Sequence, residues 1–345
     1  MKTSDLSLFC CLACRADLLL KPFELDGSAE KVKEGVLFCQ SCNTFYPISE
    51  HIPFLLDRGY YAYFDIDGFL KRWNGKFDSS NYKLPDRKTV PEKLKQLNFY
   101  NTDSECYDDL VSNSNFWKAS DWNVLGRWVK EIPADGIVLD MGCGTGRCSI
   151  PLAQTGRHVI ATDLSVGMLR KAIAKASKSG VGNITYFLAD AEDLPLKSSS
   201  FSTVISFGML HHVTDPVATI AGVEKLLRPG GAFYALENNA SRLRFIFDIL
   251  MKFKKLWNEE AGSHPLFKIE EVRKFIKSNG MLAEIRTSTF LPPHLFNLMS
   301  DEVAKKVLSF TDEFFGRIPV VSDFGGQLII KATKNSAYEK GSDVK

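Results

Sequence analysis

Residues 137–147 read Ile-Val-Leu-Asp-Met-Gly-Cys-Gly-Thr-Gly-Arg. The mainly apolar beginning of this stretch predicts a buried β-strand. Gly142, Gly144 and Gly146 then predict a turn in which the backbone can approach a ligand, because no Cβ stands in the way. A helix is expected over residues 148–155. A Gly-x-Gly-x-Gly turn between a strand and a helix indicates a nucleotide-type cofactor site at the carboxyl end of a doubly wound α/β sheet.

The following segments continue the alternation of strands and helices. Residues 158–163 predict a second strand that ends at Asp163, 23 residues after Asp140. An acid about 20 residues beyond the first strand is placed to accept the ribose hydroxyls of such a cofactor. The alternation predicts a parallel sheet. Further helices are predicted at 113–131, 166–177, in a segment ending near 226, and at 268–278; further strands at 184–188, 202–207, 232–236, 282–289 and 326–332, the last two as an antiparallel edge.

This ordered set of motifs resembles the class I S-adenosylmethionine-dependent methyltransferases over residues 120–335, in particular the small-molecule subgroup that includes ubiquinone and menaquinone methyltransferases. The resemblance implies an enzyme with a doubly wound, mostly parallel, seven-stranded Rossmann-like sheet. A dinucleotide dehydrogenase is the nearest alternative, but Arg147 stands where that class has a third glycine.

The same resemblance assigns roles in binding S-adenosylmethionine. Asp140 and the turn that contains Gly142, Cys143, Gly144 and Gly146 would hold the methionine part, and Asp163 the ribose. The adenine would be faced by Asp190 and Ala191, with Leu164 and Met168 packed nearby, and Phe207 would lie beside the methionine part.

Five of the eight cysteines lie within the first 42 residues. They include two Cys-x-x-Cys pairs, Cys11 with Cys14 and Cys39 with Cys42, and four thiolates on two turns are the tetrahedral set that a structural zinc prefers. Residues 15–38 separate the pairs, a little more than the usual spacing of about 15–20. An enlarged hairpin tip at 26–35, between short strands at 18–20 and 36–38, would account for the difference. Cys10 is an alternative to Cys11, and two disulfides in a secreted domain are an alternative to the metal.

The continuation at 45–56, Phe-Tyr-Pro-Ile-Ser-Glu-His-Ile-Pro-Phe-Leu-Leu, resembles the zinc-ribbon domain of the small activator subunits of tRNA and protein methyltransferases. His51 stands where that family usually has glycine, and the resemblance covers residues 8–57. Four thiolates leave no open position for water, so a structural zinc is expected. The predicted organisation is a ribbon at 1–57, an aromatic helical connector at 58–119, a methyltransferase domain at 120–335 with insertions at 241–265 and 290–322, and a polar tail at 336–345.

The charge and hydropathy of the chain limit the kinds of binding partner that are expected. With 43 basic and 41 acidic side chains the formal charge is +2, which gives no global attraction to a polyanion, and residues 8–57 carry no basic stripe. No apolar window approaches a membrane span and no clean signal peptide is evident, so a cytoplasmic chain with reduced thiols is predicted.

The acceptor is approached through three features. His211 and His212 follow the fourth strand as candidate general bases, with His212 the first choice; the alternative is that both simply begin a helix. The basic segment 241–257 predicts a lid over an apolar acceptor, a peripheral contact with anionic lipid, or a core-facing helix with a solvated edge. The insertion at 290–322 is expected to shape the acceptor pocket.

The sequence therefore predicts methyl transfer to an oxygen, nitrogen or carbon nucleophile of a small or lipid-like acceptor. The tetrad typical of adenine methylation is replaced by Ser-Phe-Gly-Met at 206–209, and no Pro-Cys dipeptide occurs, so neither DNA-base chemistry is favoured. An RNA methyltransferase that docks through the ribbon is the first alternative. A non-catalytic scaffold is the second, and loss of Asp140 or of the glycines would have favoured it.

Overall fold

The computed structural model describes residues 1–27, 30–87, 89–242, 244–253 and 266–336. The first part of the chain forms an antiparallel sheet of four strands in the order β1-β2-β3-β4. These strands are β1 (Leu19–Asp26), β2 (Lys31–Cys39), β3 (Thr44–Ser49) and β4 (Ile52–Pro53). Since Asp26 pairs with Lys31, the predicted enlarged tip at 26–35 is wrong, and the extra residues lengthen the two strands instead.

Four helices follow the ribbon: α1 (Ile66–Trp73), α2 (Pro91–Asp103), α3 (Tyr107–Ser112) and α4 (Asn115–Glu131). The aromatic residues of α1 pack on the ribbon, where the rings of Phe23 and Trp73 are 5.1 Å apart. Ser114 caps α4 by accepting a hydrogen bond from the backbone N–H of Trp117. This part of the chain therefore contains helices whose aromatic residues are packed against the ribbon.

The second sheet has seven strands in the order β10-β11-β9-β8-β5-β6-β7. Strands β5 to β9 are parallel, and β11 runs antiparallel to both β9 and β10. The predicted doubly wound, mostly parallel sheet with a small amino-terminal domain is confirmed. Its strands are β5 (Ile137–Met141), β6 (His158–Asp163), β7 (Ile184–Leu188), β8 (Phe201–Phe207), β9 (Leu227–Asn238), β10 (Met281–Ser288) and β11 (Gln327–Lys334).

The helices of this part cover the faces of the sheet. They are α5 (Ser149–Gln154), α6 (Val166–Lys178), α7 (Pro216–Leu226), α8 (Arg244–Phe253), α9 (Ile269–Ser278), α10 (Pro293–Phe296) and α11 (Asp301–Gly316). Strand β9 begins at Leu227 rather than at 232, because a register shift lets Leu227 pair with Phe201. Strand β5 lies between β6 and β8, so the chain order reverses at the end of β5, which is where ligands bind in such sheets.

The ribbon (residues 1–57) is packed on the free edge of β7. Phe54 bridges to Leu188 in a parallel sense, and the backbone N–H of Leu55 donates to the Leu188 carbonyl at 2.9 Å. The rings of Phe9 and Phe187 meet edge to face at 5.2 Å, and both side chains are fully buried. One hydrophobic core therefore runs from the ribbon into the large sheet.

The predicted insertions are only partly within the described residues. In 290–322, α10 and α11 pack against α4, and the Phe116 and Phe296 rings lie 5.9 Å apart. In 241–265, α8 is described, whereas residues 243 and 254–265 lie outside the described ranges, as do 337–345 of the predicted tail. Across the described ranges, no helix has the length and apolar character needed to cross a bilayer.

The shared core predicts that the ribbon and the large sheet unfold together. Replacing a buried phenylalanine by alanine costs about 3–5 kcal/mol, so Phe9→Ala is expected to lower the free energy of unfolding of the whole chain by that amount. Urea denaturation followed by circular dichroism measures this. Leu25→Ala, at a ribbon position that is 44% exposed, is the control and should change stability little. An early transition confined to the ribbon in Phe9→Ala would contradict the shared core.

Candidate active site

The glycine turn is held to the next strand by backbone hydrogen bonds. The N–H of Cys143 donates to the Thr162 carbonyl at 2.8 Å, and the N–H of Gly144 donates to Oδ2 of Asp163 at 2.8 Å. Gly144 has a φ of 53°, and a Cβ added there would meet nothing within 4 Å. The turn is thus fixed at its base and faces open space at its tip, where a ligand can approach the backbone.

Asp163 ends β6 beside this turn. Its second oxygen accepts from the backbone N–H of Ser165 at 2.9 Å, and Ser165 in turn caps α6. Burial raises the pKa of Asp163, and the backbone donors Ser165 and Gly144 oppose that rise because they favour the ionised form. The carboxylate is therefore held rigidly in one orientation at the ends of the strands.

Asp140 lies beneath the turn. It is 1% exposed, and the Ser149 hydroxyl donates to its carboxylate. Burial raises the pKa of Asp140 to about 6, and the nearby Asp163 adds to the effect. Asp140, Cys143 and Gly146 are not among the residues that line the cavity described next. Their side chains or backbone support the turn from behind.

A cavity of about 420 Å³, here called the central cavity, opens at the carboxyl ends of the strands. This volume lies within the range of about 300–1,000 Å³ that is usual for small-molecule sites. Its lining brings together eight of the residues predicted to bind the cofactor and both candidate bases. These are Gly142, Gly144, Asp163, Leu164, Met168, Asp190, Ala191, Phe207, His211 and His212.

The two histidines differ in their partners. His211 lies with Nδ1 2.7 Å from the carboxylate of Glu237, which also accepts from the backbone N–H groups of Met209 and Leu210. The Glu237 side chain is 1% exposed. His212 lies with Nε2 2.9 Å from the Tyr100 hydroxyl, and the two histidine rings are 4.1 Å apart. The Glu237 carboxylate gives His211 a partner of the kind that fixes a ring for proton transfer.

Helix α2 covers the central cavity, and this role of α2 was not predicted from the sequence. The Gln96 side-chain amide donates to the His212 carbonyl at 2.8 Å. Lys93, 8% exposed, forms ion pairs with Asp190 and Glu192. Burial opposes the charged form of Lys93, but the carboxylates of Asp190 and Glu192 outweigh it and raise the pKa.

Other lining residues were also missed. Arg147 pairs with Asp121 and lies against the rings of Trp117 and Phe207, 5.1 and 4.8 Å from their centroids. Glu237, at the end of β9, could have been found from the rule that functional side chains follow parallel strands. No residue of 290–322 lines the central cavity, and neither do the described residues of 241–257. The expectation that 290–322 shapes the pocket is wrong, and α2 provides a cover of the kind that the lid, one of three alternatives for 241–257, would have formed.

The four predicted zinc ligands also come together. The Sγ atoms of Cys11, Cys14, Cys39 and Cys42 all lie within 4.8 Å of one another. Cys10 is not part of this group, so the structure selects Cys11. Four sulfur atoms placed tetrahedrally at about 2.3 Å from a zinc ion are separated from one another by less than this limit, so the donor set fits the metal.

Comparisons with known proteins agree with this geometry. The model of the methyltransferase domain family matches residues 138–231. A demethylmenaquinone methyltransferase of Clavibacter sepedonicus is 33% identical over 203 residues, which cover 56% of this chain and 79% of that protein. The chain belongs to the S-adenosylmethionine-dependent methyltransferases. A second relative of this methyltransferase, the ubiquinone biosynthesis O-methyltransferase of Hahella chejuensis, is 32% identical over 44% of this chain and 61% of its own length.

Solved structures show the same fold for the methyltransferase. Phosphoethanolamine N-methyltransferase 2 of Haemonchus contortus is 19% identical, with a TM-score of 0.51 over 72% of this chain and 61% of that one. An S-adenosylmethionine-dependent methyltransferase of Thermotoga maritima is 18% identical, with a TM-score of 0.50 over 70% of this chain and 100% of that one.

The residues of the methyltransferase fit its methyl donor. The open Gly144 backbone suits close approach, Asp163 offers acceptor oxygens for hydroxyl groups, and Leu164 and Met168 give apolar surface for a purine. Asp163, Asp190 and the glycine turn are the residues that would hold the donor, whereas Asp140 lies outside the cavity lining and bonds to Ser149.

The raised pKa of Asp140 predicts a pH-dependent stability of the methyltransferase. The folded protein binds the proton of this carboxyl group more tightly than the unfolded chain does. The free energy of unfolding therefore falls as the pH rises from the ordinary pKa of about 3.9 towards the pKa in the folded protein. Asp140→Asn cannot ionise, so its free energy of unfolding relative to the parent protein should rise by about 2–3 kcal/mol between pH 4 and pH 7. Urea denaturation of both proteins at several pH values measures the difference, and a constant difference would contradict it.

Proposed function

We propose that this methyltransferase transfers the methyl group of S-adenosylmethionine to an oxygen, nitrogen or carbon nucleophile of a small or lipid-like acceptor. The observation that carries the proposal is the apolar and aromatic wall of the central cavity beside the donor-binding residues. Phe99, Tyr107, Val111, Trp117 and Phe207 contribute to this wall. The two relatives named above, by their names, act in menaquinone and ubiquinone synthesis, which supports an acceptor of this kind.

S-adenosylmethionine supplies a methyl group that its positively charged sulfur already activates. The protein then has to align the acceptor and exclude water, and alignment of this kind can contribute about 7–11 kcal/mol. Helix α2 provides the cover, because Gln96 holds the His212 carbonyl and Asn101 accepts from the N–H of Gly167 at 2.8 Å. The cover is thus attached on both sides of the cavity.

We propose His211 as the general base for an acceptor that carries a proton. The Glu237 carboxylate can only accept, so Nδ1 of His211 donates to it, and the acceptor atom of the neutral ring is Nε2. When Nε2 takes the proton, the charged imidazolium lies beside the buried carboxylate, which stabilises it. This assignment differs from the sequence prediction, which placed His212 first.

The proposed function is tested by supplying methyl-labelled donor and cell extract and separating lipid, aqueous metabolite, protein and RNA fractions. Label in the lipid or metabolite fraction is expected. Label confined to RNA would overturn the proposal in favour of the RNA alternative. Donor binding with no transfer to any fraction would overturn the proposal in favour of the scaffold.

The base assignment predicts a selective loss of rate. His211→Asn and Glu237→Gln should each lower kcat by about 10²–10⁴-fold, the usual contribution of general base catalysis. The affinity for S-adenosylhomocysteine, measured by calorimetry, should stay close to that of the parent. His212→Asn is the matched comparison, and a larger loss there than in His211→Asn would contradict the assignment.

We also propose that the four clustered cysteines bind one structural zinc. Metal analysis of purified protein should find about one zinc per chain, and Cys39→Ser should lower both zinc retention and thermal stability. Cys10→Ser is the matched control, since Cys10 is adjacent to Cys11 but outside the cluster, and it should keep full zinc. Full zinc retention in Cys39→Ser would contradict the site.

We further propose a cytoplasmic enzyme that rests on anionic membranes through α8. Phe245, Ile246 and Ile249 are 61%, 36% and 50% exposed, and the exposed cations Arg242 and Lys252 accompany them. Apolar side chains together with cations suit the interface of an anionic bilayer.

This contact predicts co-sedimentation with vesicles that contain phosphatidylglycerol and much weaker binding to vesicles of phosphatidylcholine alone. Phe245→Ser together with Ile249→Ser should reduce the binding about tenfold or more, because two partly inserted apolar side chains are lost. Leu282→Ser, at an equally exposed position on β10, should leave it unchanged. Equal binding by all three proteins would contradict the contact.

A further inference from the structure

The loop between β7 and β8 (residues 189–200), here called the β7–β8 loop, has two sides with different neighbours. On one side Asp190 and Ala191 line the central cavity. On the other side the loop lies against the ribbon. The backbone N–H of Cys10 donates to the Pro195 carbonyl at 3.0 Å, and the N–H of Lys197 donates to the Leu8 carbonyl at 2.9 Å. The same short segment therefore lines the central cavity on one side and contacts the ribbon, next to the cysteine cluster, on the other.

Arg15 provides the side-chain part of this contact. It follows Cys14 directly and has a φ of 64°, and its backbone N–H donates to the Cys11 carbonyl at 2.8 Å. Its guanidinium donates to the Leu194 carbonyl at 2.7 Å and forms an ion pair with Asp193. Because the turn between Cys11 and Cys14 sets the direction of Arg15, the shape of that turn determines where these two donors lie.

A second arginine extends the contact. Arg87 pairs with the buried Asp57 and with Asp193 at 2.6 Å, and it also donates to the Leu12 carbonyl at 3.3 Å. On the cavity side, Lys93 holds Asp190. Asp190 and Asp193 are three residues apart, and the N–H of Asp193 donates to the Asp190 carbonyl at 3.0 Å. The loop is therefore held from the ribbon and from α2 at once, with one backbone hydrogen bond between the two points.

We propose that Arg15 is a positioning residue for donor binding: the metal-bound turn of the ribbon holds the β7–β8 loop where Asp190 and Ala191 receive the adenine. This inference rests on the proposed zinc site and on the proposed adenine contact of Asp190. It makes zinc and donor bind cooperatively, and the coupling is reciprocal, so the donor should also slow loss of zinc.

The expected effect is on affinity more than on folding. The Arg15 and Asp193 side chains are 46% and 36% exposed, and exposed ion pairs contribute little to stability. A loop released on one side, however, must be ordered again when the donor binds. We expect Arg15→Ala to weaken binding of S-adenosylhomocysteine about fivefold, at the lower end of typical coupling between sites.

The test uses the full-length, zinc-loaded protein and calorimetry with two ligands, S-adenosylhomocysteine and its deaminated analogue S-inosylhomocysteine. The parent should prefer the amino form, because a carboxylate such as Asp190 accepts from an amine. Arg15→Ala should lose most of that preference, and Arg15→Lys should recover part of it. Lys33→Ala is the control, since it removes an equally exposed ribbon ion pair, with Glu24, away from the loop.

Zinc content is measured for each variant, so loss of metal is separated from loss of loop position. Asp193→Asn removes the ion pairs with both Arg15 and Arg87 without touching the cysteine turn, and it should give at least the loss seen in Arg15→Ala. Arg15→Ala and Asp193→Asn that bind both ligands as the control does would overturn the inference while the proposed function stands. A parent protein that binds zinc but neither ligand would overturn both.

Discussion

The hydrogen bond from the Gly144 N–H to the Asp163 carboxylate is the contact on which the proposed donor site depends. It joins the ends of two adjacent strands, and a backbone donor has no alternative rotamer with which to leave it. The bond needs a left-handed residue at the turn and a carboxylate at the end of β6. Both were visible in the sequence because each belongs to a local pattern. The buried Asp140 then supports the same turn from below through Ser149.

Features that depend on local sequence patterns were predicted well, whereas features that depend on contacts between distant residues were missed. Strands β6 and β7 were predicted with their observed limits, since each is a short apolar run between polar residues. The strands β1 and β2 were misjudged at the hairpin because their outer halves are rich in charged residues, so their sequence resembles a loop. Helix α2 was missed as a cover because its amphipathic pattern is weak, and nothing local shows that Tyr100 meets His212, 112 residues later.

The two histidines show why a candidate base cannot be ranked from neighbouring letters. His211 and His212 are adjacent and both line the central cavity, yet Nδ1 of His211 lies 2.7 Å from the Glu237 carboxylate whereas Nε2 of His212 lies 2.9 Å from the Tyr100 hydroxyl. That carboxylate comes from the end of β9, and its three hydrogen bonds hold it in place while it is buried. The pairing of His211 with Glu237 therefore depends on which strands lie next to each other in the sheet.

The position of the ribbon has a further meaning for the sheet itself. An outer parallel strand exposes unpaired N–H and C=O groups that can recruit another chain and lead to aggregation. In this protein Leu55 satisfies the Leu188 carbonyl, and Phe9 covers Phe187 on the same strand. The ribbon thus covers the edge strand β7 of the large sheet. A shortened catalytic fragment without the ribbon would expose the unpaired, apolar edge of β7. We therefore expect such a fragment to aggregate more readily than the full chain.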